Sequence, residues 1–589
     1  MDDKPWLRHR WPPGVPAELD FPVIPLHRLL EDAARERPNS PFVLFDETVL
    51  SYRQMDIEAN RAAHWLRSRG IGRGDRVALF LPNLPHYPAA LFGILKAGAV
   101  AVTCNPTYTA EELHFQLKDS GARGLFVLDH PRFYPTACAA ARGTAVEQVI
   151  YCSVGRYLPP LKRLLGRLAG KIPQAESHEA GHVSFDRILA GQPATPPPVE
   201  IAPADDLAVI TYTGGTTGAP KGACLTHFNL VSNLVMAETW VRPGEDYEHA
   251  QPMQVGGECF LGVLPWYHSY GLTMTLLATV KLASRVVCVP DPMAGRPPLT
   301  EVLRLVEKHR ATVLNGVPTL FSALIHHPRV QEFDLRSLKL CGCGAAPLPL
   351  ALAQAFETRT GAVLYEAYGL TETSPMIACS PTTRRDRKLG TLGLPVPGTD
   401  MRIVDLETGL KELPAGEDGE IAVSGPQVMQ GYWNRPEENA AAFRQINGRR
   451  YLLTGDIGHM DAEGFFVLSD RKKDIVNIGG YKAYPREVEE VLHAHPAVAL
   501  AAVVGVPDKQ MGQALKAYIQ LKPGQTATKR ERIQFCKERL AGYKVPRLIE
   551  FRETLPKTTV GKVLKRALLE APADGADLDE LAAQPGSSG

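Results

Sequence analysis

The stretch Thr213-Gly214-Gly215-Thr216-Thr217-Gly218-Ala219-Pro220-Lys221-Gly222 gathers the groups that hold a polyphosphate. Gly214, Gly215 and Gly218 let backbone N–H groups turn toward one point with no Cβ in the way. Thr213, Thr216 and Thr217 add hydroxyl donors, and Lys221 adds a positive charge. It is not the common P-loop, because no Gly-Lys-Ser/Thr follows four residues after a glycine. Ahead of it, Leu207-Ala208-Val209-Ile210-Thr211-Tyr212 is an apolar, β-branched run of the kind that forms a buried strand. On residue types alone, an ordinary glycine-rich surface turn is the other reading.

Two distant stretches carry more polar chemistry: Tyr368-Gly369-Leu370-Thr371-Glu372-Thr373, and Thr454-Gly455-Asp456 followed by Asp470-Arg471-Lys472-Lys473-Asp474. In this order and roughly this spacing, the three stretches resemble the adenylate-forming enzymes: acyl-CoA synthetases, beetle-type luciferases and peptide-synthetase adenylation domains. The resemblance runs from about residue 30 to 570 and is most like bacterial medium- and long-chain fatty-acyl-CoA ligases. Cys104-Asn105-Pro106-Thr107-Tyr108-Thr109 resembles the same ligases.

The resemblance implies a two-step reaction using ATP, Mg²⁺ and coenzyme A: a fatty acid becomes an acyl adenylate with loss of pyrophosphate, and a thiol then displaces AMP. It implies that Thr213, Thr216, Thr217 and Lys221 wrap the β- and γ-phosphates. Thr371 would donate to the α-phosphate, and Glu372 would hold Mg²⁺ together with Thr216. Tyr368 would stack on adenine, with Gly344, Ala345 and Ala346 lining its other face. Asp456 would accept from the ribose hydroxyls, and Arg471 would approach the same ribose. Lys562, in Pro556-Lys557-Thr558-Thr559-Val560-Gly561-Lys562, matches the lysine set between carboxylate and α-phosphate. Lys473 stands at the family's hinge, and Gly480, Tyr481 and Lys482 would line a pantetheine channel. His268, in Trp266-Tyr267-His268-Ser269, matches a histidine near the acyl carboxylate. Two positions depart from the pattern. Leu272 stands where some long-chain relatives carry a gate tryptophan, and Gln513 follows Gly512 where relatives often have glutamate. Three alternatives stay open: an acyl-AMP ligase loading a carrier protein, a CoA ligase for an aryl or other non-lipid acid, and a non-catalytic nucleotide- or lipid-binding relative.

Each residue type has a plainer use as well. A lone Asp after Gly is usually a turn residue, Thr-Glu a helix N-cap pair, and a histidine among apolar residues a packed core group. Lys562 has Lys557 and Lys565 nearby, which suits a solvated basic segment.

The elements that must position these groups alternate. Gln54–Arg69 reads as an amphipathic helix ended by Gly70, 77–81 as a buried strand, Tyr87–Lys96 as a helix, and 99–104 as a strand. Helix 110–121 and strands 124–128 and 148–152 follow. Such alternation predicts an α/β protein whose parallel or mixed sheets are flanked by helices. Past residue 390 the texture becomes short strands between Gly/Pro turns, predicting a small β-barrel over about 390–470. The expected organisation is an N-terminal extension over 1–25 lying loosely on the surface, a large domain over 26–470, and a small mobile α+β domain over 471–571. A disordered tail over 572–589 completes it.

Residues 158–172 are set apart. Leu161, Leu164, Leu165, Leu168 and Ile172 recur at helical spacing, with Lys162, Arg163, Arg167 and Lys171 between them. Such a helix suits peripheral contact with an anionic membrane face, or docking on the main domain with solvated basic flanks.

Composition narrows the classes. At 589 residues the chain exceeds one core, and a net charge of +1 offers no electrostatic case for nucleic acid. Ten scattered cysteines, with only Cys341 and Cys343 close together, suit reduced, buried thiols in a cytoplasmic protein. The start lacks an apolar secretory core, and no run is long and apolar enough to span a bilayer.

Overall fold

The computed structural model describes residues 4–213, 220–241, 253–478, 481–508, 511–558 and 563–570. The chain divides into two compact units, a large one ending at Leu468 and a smaller one beginning at Ser469.

Among the described residues the large unit carries three sheets. The first runs from edge to edge through Gly431–Tyr432, Lys221–Thr226, Leu207–Thr213, Val100–Thr103, Arg76–Phe80, Gly124–Leu128, Gln148–Cys152 and Val183–Ser184. From Leu207–Thr213 onward its strands pair in parallel. Parallel neighbours need crossovers, and helices His86–Lys96 and Ala110–Ser120 supply them. Every residue of Gly124–Leu128 is buried, as a strand covered on both faces requires. Helix Ala110–Ser120 is punctuated in its sequence. Thr109 and Glu112 form a reciprocal cap at its start, and Gly121 ends it at φ 62°.

The second sheet runs through Leu394–Pro395, Met376–Cys379, Val363–Gly369, Leu340–Cys343, Val313–Gly316, Cys259–Gly262, Arg285–Cys288, Pro41–Phe45 and Thr48–Ser51. Its middle is parallel and its two ends antiparallel. The third is antiparallel, with Asp400–Val404, Gly419–Ser424, Arg449–Met460 and Phe443–Ile446 in order and Phe466–Arg471 beside Arg449–Met460. It occupies the stretch where the texture changes past residue 390.

In the smaller unit, Val498–Asp508 and Gly512–Leu521 form a long antiparallel pair. Along the free edge of Gly512–Leu521, Val476–Ile478 pairs at Gly512 and carries Tyr481–Ala483 beyond it, and Leu548–Phe551 pairs in parallel with residues 516–519. Helices Pro485–His493 and Lys529–Lys537 belong to the same unit. Val488, Leu492, Val503, Leu515 and Ile519 pack its core. Gln513, which departed from the expected pattern, accepts a hydrogen bond from the Asn477 N–H at 2.9 Å. A neutral amide oxygen serves there as a carboxylate oxygen would.

Two expectations need correction. The N-terminal segment is not loose: Trp6 is buried in the main core, and the Trp11 ring meets Trp240 edge-on at 5.3 Å. Burying one indole and packing a second, half-buried one against the core outweighs the entropy of ordering a proline-rich strap. The second concerns 158–172. The helix forms over Pro160–Leu168, but none of its residues is buried, and its leucines face solvent. Ile172 does not share their face. The chain reverses at Gly170, φ 61°, and Ile172 turns back against Gly166. The expected docking of the leucine stripe on the main domain therefore does not occur. All ten cysteines are buried and free of disulfides. No described helix is long and apolar enough to cross a membrane.

Candidate active site

The glycine- and threonine-rich loop joins two antiparallel neighbours, Leu207–Thr213 and Lys221–Thr226, whose register sets Thr213 opposite Lys221. Gly214, Gly215, Thr216, Thr217 and Gly218 lie outside the described residues. The base of the loop is braced. Tyr212 donates to Asp119 at 2.7 Å, and Asp119 also holds Arg435 at 2.6 Å. Gly222 is required below it, since a Cβ there would sit 2.6 Å from Ile210 Cγ2.

Residues 368–372 tie the large unit's candidate groups together. Tyr368, near the end of strand Val363–Gly369, donates its hydroxyl to Asp456 Oδ2 at 2.7 Å, although 88 residues separate them. Asp456 is buried on the long strand Arg449–Met460. The Thr371 hydroxyl lies 3.2 Å from that of Ser269, the neighbour of His268. Glu372 accepts at Oε1 from the Tyr432 hydroxyl at 2.8 Å, and the Lys221 ammonium lies 5.2 Å from the centre of the Tyr432 ring. Thr371–Thr373 is a single 3₁₀ turn rather than the start of an α-helix, so the Thr-Glu pair is not an α-helix N-cap. Burial, and then the Glu372 carboxylate, push the Tyr432 phenol well above its usual range, so it remains a donor.

The sharp path of this segment depends on Gly369. A Cβ there would meet the Pro375 carbonyl oxygen at 1.8 Å. Nearby, Gly344 lies under the Tyr270 ring, and Ala345, at φ 68°, packs with Leu264, Tyr270, Val317, Met274 and Leu320. His268 Nδ1 accepts from the Tyr270 N–H at 3.3 Å and so begins the short helix Ser269–Gly271. Leu272 is fully buried and opens a π-helical turn over Leu272–Leu277. It is a core residue in this chain.

Glu372 fits a magnesium ion. Tyr432 occupies one carboxylate oxygen, and among the described residues no hydrogen bond or ion pair takes the other. A hard cation of that size binds one or two carboxylates and fills its remaining positions with phosphate oxygens and water. Thr216, its expected companion, lies outside the described residues.

Arg471, Lys473, Tyr481 and Lys482 belong to the smaller unit. Arg471 ends the strand Phe466–Arg471, and Lys473 is exposed in the turn Lys472–Asp474 that follows. Tyr481 stacks on Tyr543 at 5.1 Å, and Lys482 is exposed beside it. Gly480 and Lys562 lie outside the described residues. Lys565, three positions past Lys562, is not a solvated tail lysine. It pairs with Glu489 at 2.8 Å. Burial opposes its charge, but the carboxylates of Glu489, Asp474 and Asp470 hold it above the ordinary lysine range.

Several supporting residues escaped the sequence reading. Tyr432 had only a weak signal, the paired aromatics of Gly431-Tyr432-Trp433-Asn434 in a turn-rich stretch. Asn83, Asn229 and Asn233 had none. Asn83 Nδ2 donates to the carbonyls of Gly262 and Leu264, and its Oδ1 accepts from Trp266 N–H. Asn233 exchanges two bonds with the Met376 backbone, and Asn229 donates to Pro426 and Val428. Each clamps a segment leading into or out of the site. Elsewhere, Cys138, Glu179 and His182 bring metal-ligating atoms within 4.8 Å of one another. There His182 Nδ1 bonds to the Tyr134 hydroxyl at 2.7 Å while Nε2 turns toward Glu179, so the group reads as a hydrogen-bonded cluster.

The chain matches the family model "AMP-binding enzyme" over residues 30–433 and "AMP-binding enzyme C-terminal domain" over 487–562. It is 40% identical over 584 residues to a long-chain-fatty-acid–CoA ligase of Bacillus subtilis (strain 168), covering 97% of this chain and 98% of that one. It is 37% identical over 578 residues to the Escherichia coli O6:H1 protein of the same name, covering 96% and 98%. Among solved structures, the anthranilate CoA ligase AuaEII in complex with anthranoyl-AMP superposes with a TM-score of 0.79 at 27% identity, covering 93% of this chain and 98% of that one.

Proposed function

This chain belongs to the AMP-binding enzyme family, and from that premise we propose that it joins a medium- or long-chain carboxylic acid to coenzyme A at the expense of ATP. In the first step a carboxylate oxygen bonds to the α-phosphorus as the bond to pyrophosphate breaks. In the second, a thiolate sulfur bonds to the acyl carbon and AMP departs. The reacting partners of the first step are both anions. At 4 Å in a partly dry site each charge pair repels by roughly 4 kcal/mol, so the protein's task is positioning and charge neutralisation.

The proposed roles are those that the family resemblance implies and the chemistry of each residue type supports. Lys221 and the threonines of its loop, Thr213, Thr216 and Thr217, hold the β- and γ-phosphates, with the N–H groups of Gly214, Gly215 and Gly218. Thr371 donates to the α-phosphate. Glu372 and Thr216 hold Mg²⁺, which supplies charge neutralisation along the phosphates. Tyr368, Gly344, Ala345 and Ala346 enclose adenine, and Asp456 and Arg471 take the ribose. His268 borders the carboxylate of the acid. Lys562 bridges that carboxylate and the α-phosphate as a compact charge on a flexible stem. Lys473 is the hinge about which the smaller domain, 471–571, exchanges Lys562 for a thiol channel lined by Gly480, Tyr481 and Lys482.

One observation carries this reading. Residues 368–372 link Asp456, Ser269 beside His268, and the Tyr432–Lys221 pair by direct contacts, which supports assigning nucleotide, carboxylate and metal roles to groups that meet on one short segment. The test is CoA-dependent formation of AMP and pyrophosphate across acids from acetate to oleate, with benzoate included. Turnover rising toward the longer chains is expected, and no pyrophosphate with any acid would sink the reading. The likeness to an anthranilate CoA ligase favours a second reading, an aryl acid as substrate. Benzoate outpacing oleate would select it.

A further inference from the structure

Helix Pro160–Leu168 exposes more apolar surface than its surroundings account for. Leu161, Leu164, Leu165 and Leu168 are 68%, 57%, 55% and 78% exposed, at the i, i+3, i+4, i+7 spacing of one stripe. No other helix or strand among the described residues exposes more than one large apolar side chain. The stripe is held outward by how the helix is seated. Its back rests on the protein through Gly166, where an added Cβ would lie 2.9 Å from Ile172 Cγ1, and through Arg163, which crosses Gly155. Lys162 pins the N-terminal end to Asp46 and Glu47. The leucines therefore cannot fold inward without undoing these contacts.

The charged residues of the helix and of the turn that follows it are all basic, and the acids Asp46 and Glu47 stand only at its N-terminal end. Lys162 is neutralised, but Arg167 and Lys171 are exposed, and neither has an anionic partner among the described residues. An apolar stripe with unneutralised cations at its edge is the pattern of a helix lying in the plane of a membrane surface, leucines among the acyl chains and basic groups at the phosphates. A second copy of the chain suits it less, because pairing stripe to stripe would bring like charges together. We propose that helix Pro160–Leu168 docks the protein on an anionic bilayer surface.

The proposal goes beyond the ligase reading and is tested without substrate, so the two fail separately. The full chain is sedimented with vesicles of phosphatidylcholine alone, or of phosphatidylcholine with phosphatidylglycerol. Wild-type protein binds the anionic vesicles about tenfold more tightly or better, and rising salt weakens that binding. Leu164→Ser with Leu168→Ser lowers binding to the anionic vesicles about tenfold. Arg167→Glu with Lys171→Glu removes the preference for them. Melting temperatures stay at the wild-type value, since all four residues are exposed. Equal binding to the two vesicle types, or double variants that bind like wild type, would overturn the proposal. So would a dimer that Leu164→Ser with Leu168→Ser converts to monomer while vesicle binding persists, which would assign the stripe to a second copy.

Discussion

At the scale of single residues, the site turns on where charge is neutralised and where protons are donated. Lys562→Ala is expected to slow adenylation by about 3 kcal/mol of transition-state stabilisation, roughly a hundredfold. The same variant should convert supplied acyl adenylate to thioester at nearly the wild-type rate. Assaying the two half-reactions separately checks this, and equal loss in both would remove the assigned role. Tyr432→Phe deletes the hydroxyl that donates to Glu372 while leaving the ring beside Lys221. Losing one hydrogen bond to a charged group costs about 1.5–3 kcal/mol. The expected result is a raised KM for MgATP with the melting temperature nearly unchanged. An unaltered KM would mean that Glu372 is positioned by something else.

At the scale of elements, the site is held by short segments that side-chain amides lock in place. Asn83 is buried and makes three hydrogen bonds to the stretch before His268. Asn83→Leu leaves two carbonyls and an N–H unpaired and is expected to cost about 3 kcal/mol or more in denaturant unfolding. Gly369→Ala tests the turn that carries Thr371 and Glu372. With a backbone oxygen 1.8 Å from the new Cβ, the segment must move. Activity should fall by at least about tenfold, since a misplacement of 1 Å can cost about a hundredfold. A fully active Gly369→Ala enzyme would show that the turn does not position the chemistry.

At the scale of the whole molecule, two properties follow. Burial lowers His27, His86 and His227 to about 3. The fold thus keeps these rings neutral, while the unfolded chain protonates them near 6.5. Their effect on stability is absent above that pH, grows as pH falls, and levels off only below 3. His86 stands between Tyr157 and Phe185 with both ring nitrogens unpartnered among the described residues, so a leucine suits its place. His86→Leu should recover about 2 kcal/mol at pH 5 relative to pH 8, read from urea unfolding at each pH. An unchanged pH dependence would show that His86 is not buried neutral. Lys473→Pro addresses domain alternation. It restricts the turn that follows strand Phe466–Arg471, and is expected to stall thioester formation while sparing pyrophosphate release. Normal overall turnover would refute the hinge.

The sequence by itself determined the family and the general plan. Glycines and threonines around Lys221, the Thr371-Glu372 pair and Asp456 are local patterns that carry the family resemblance in their order and spacing, although each residue type taken alone has a plainer use. Strand and helix alternation is local as well, which is why strands 124–128 and 148–152 were legible to the residue. Only the tertiary structure decided which distant groups meet. The bonds from Tyr368 to Asp456 and from Tyr432 to Glu372 cross 88 and 60 residues, and nothing in either local sequence encodes its partner. The asparagine clamps were invisible for the same reason. Periodicity found the leucines of 160–168, but it could not say which way they face. Hydrophobic spacing defines a stripe, and the direction that stripe points is set by Gly166, Ile172 and the pairing of Lys162 with Asp46 and Glu47.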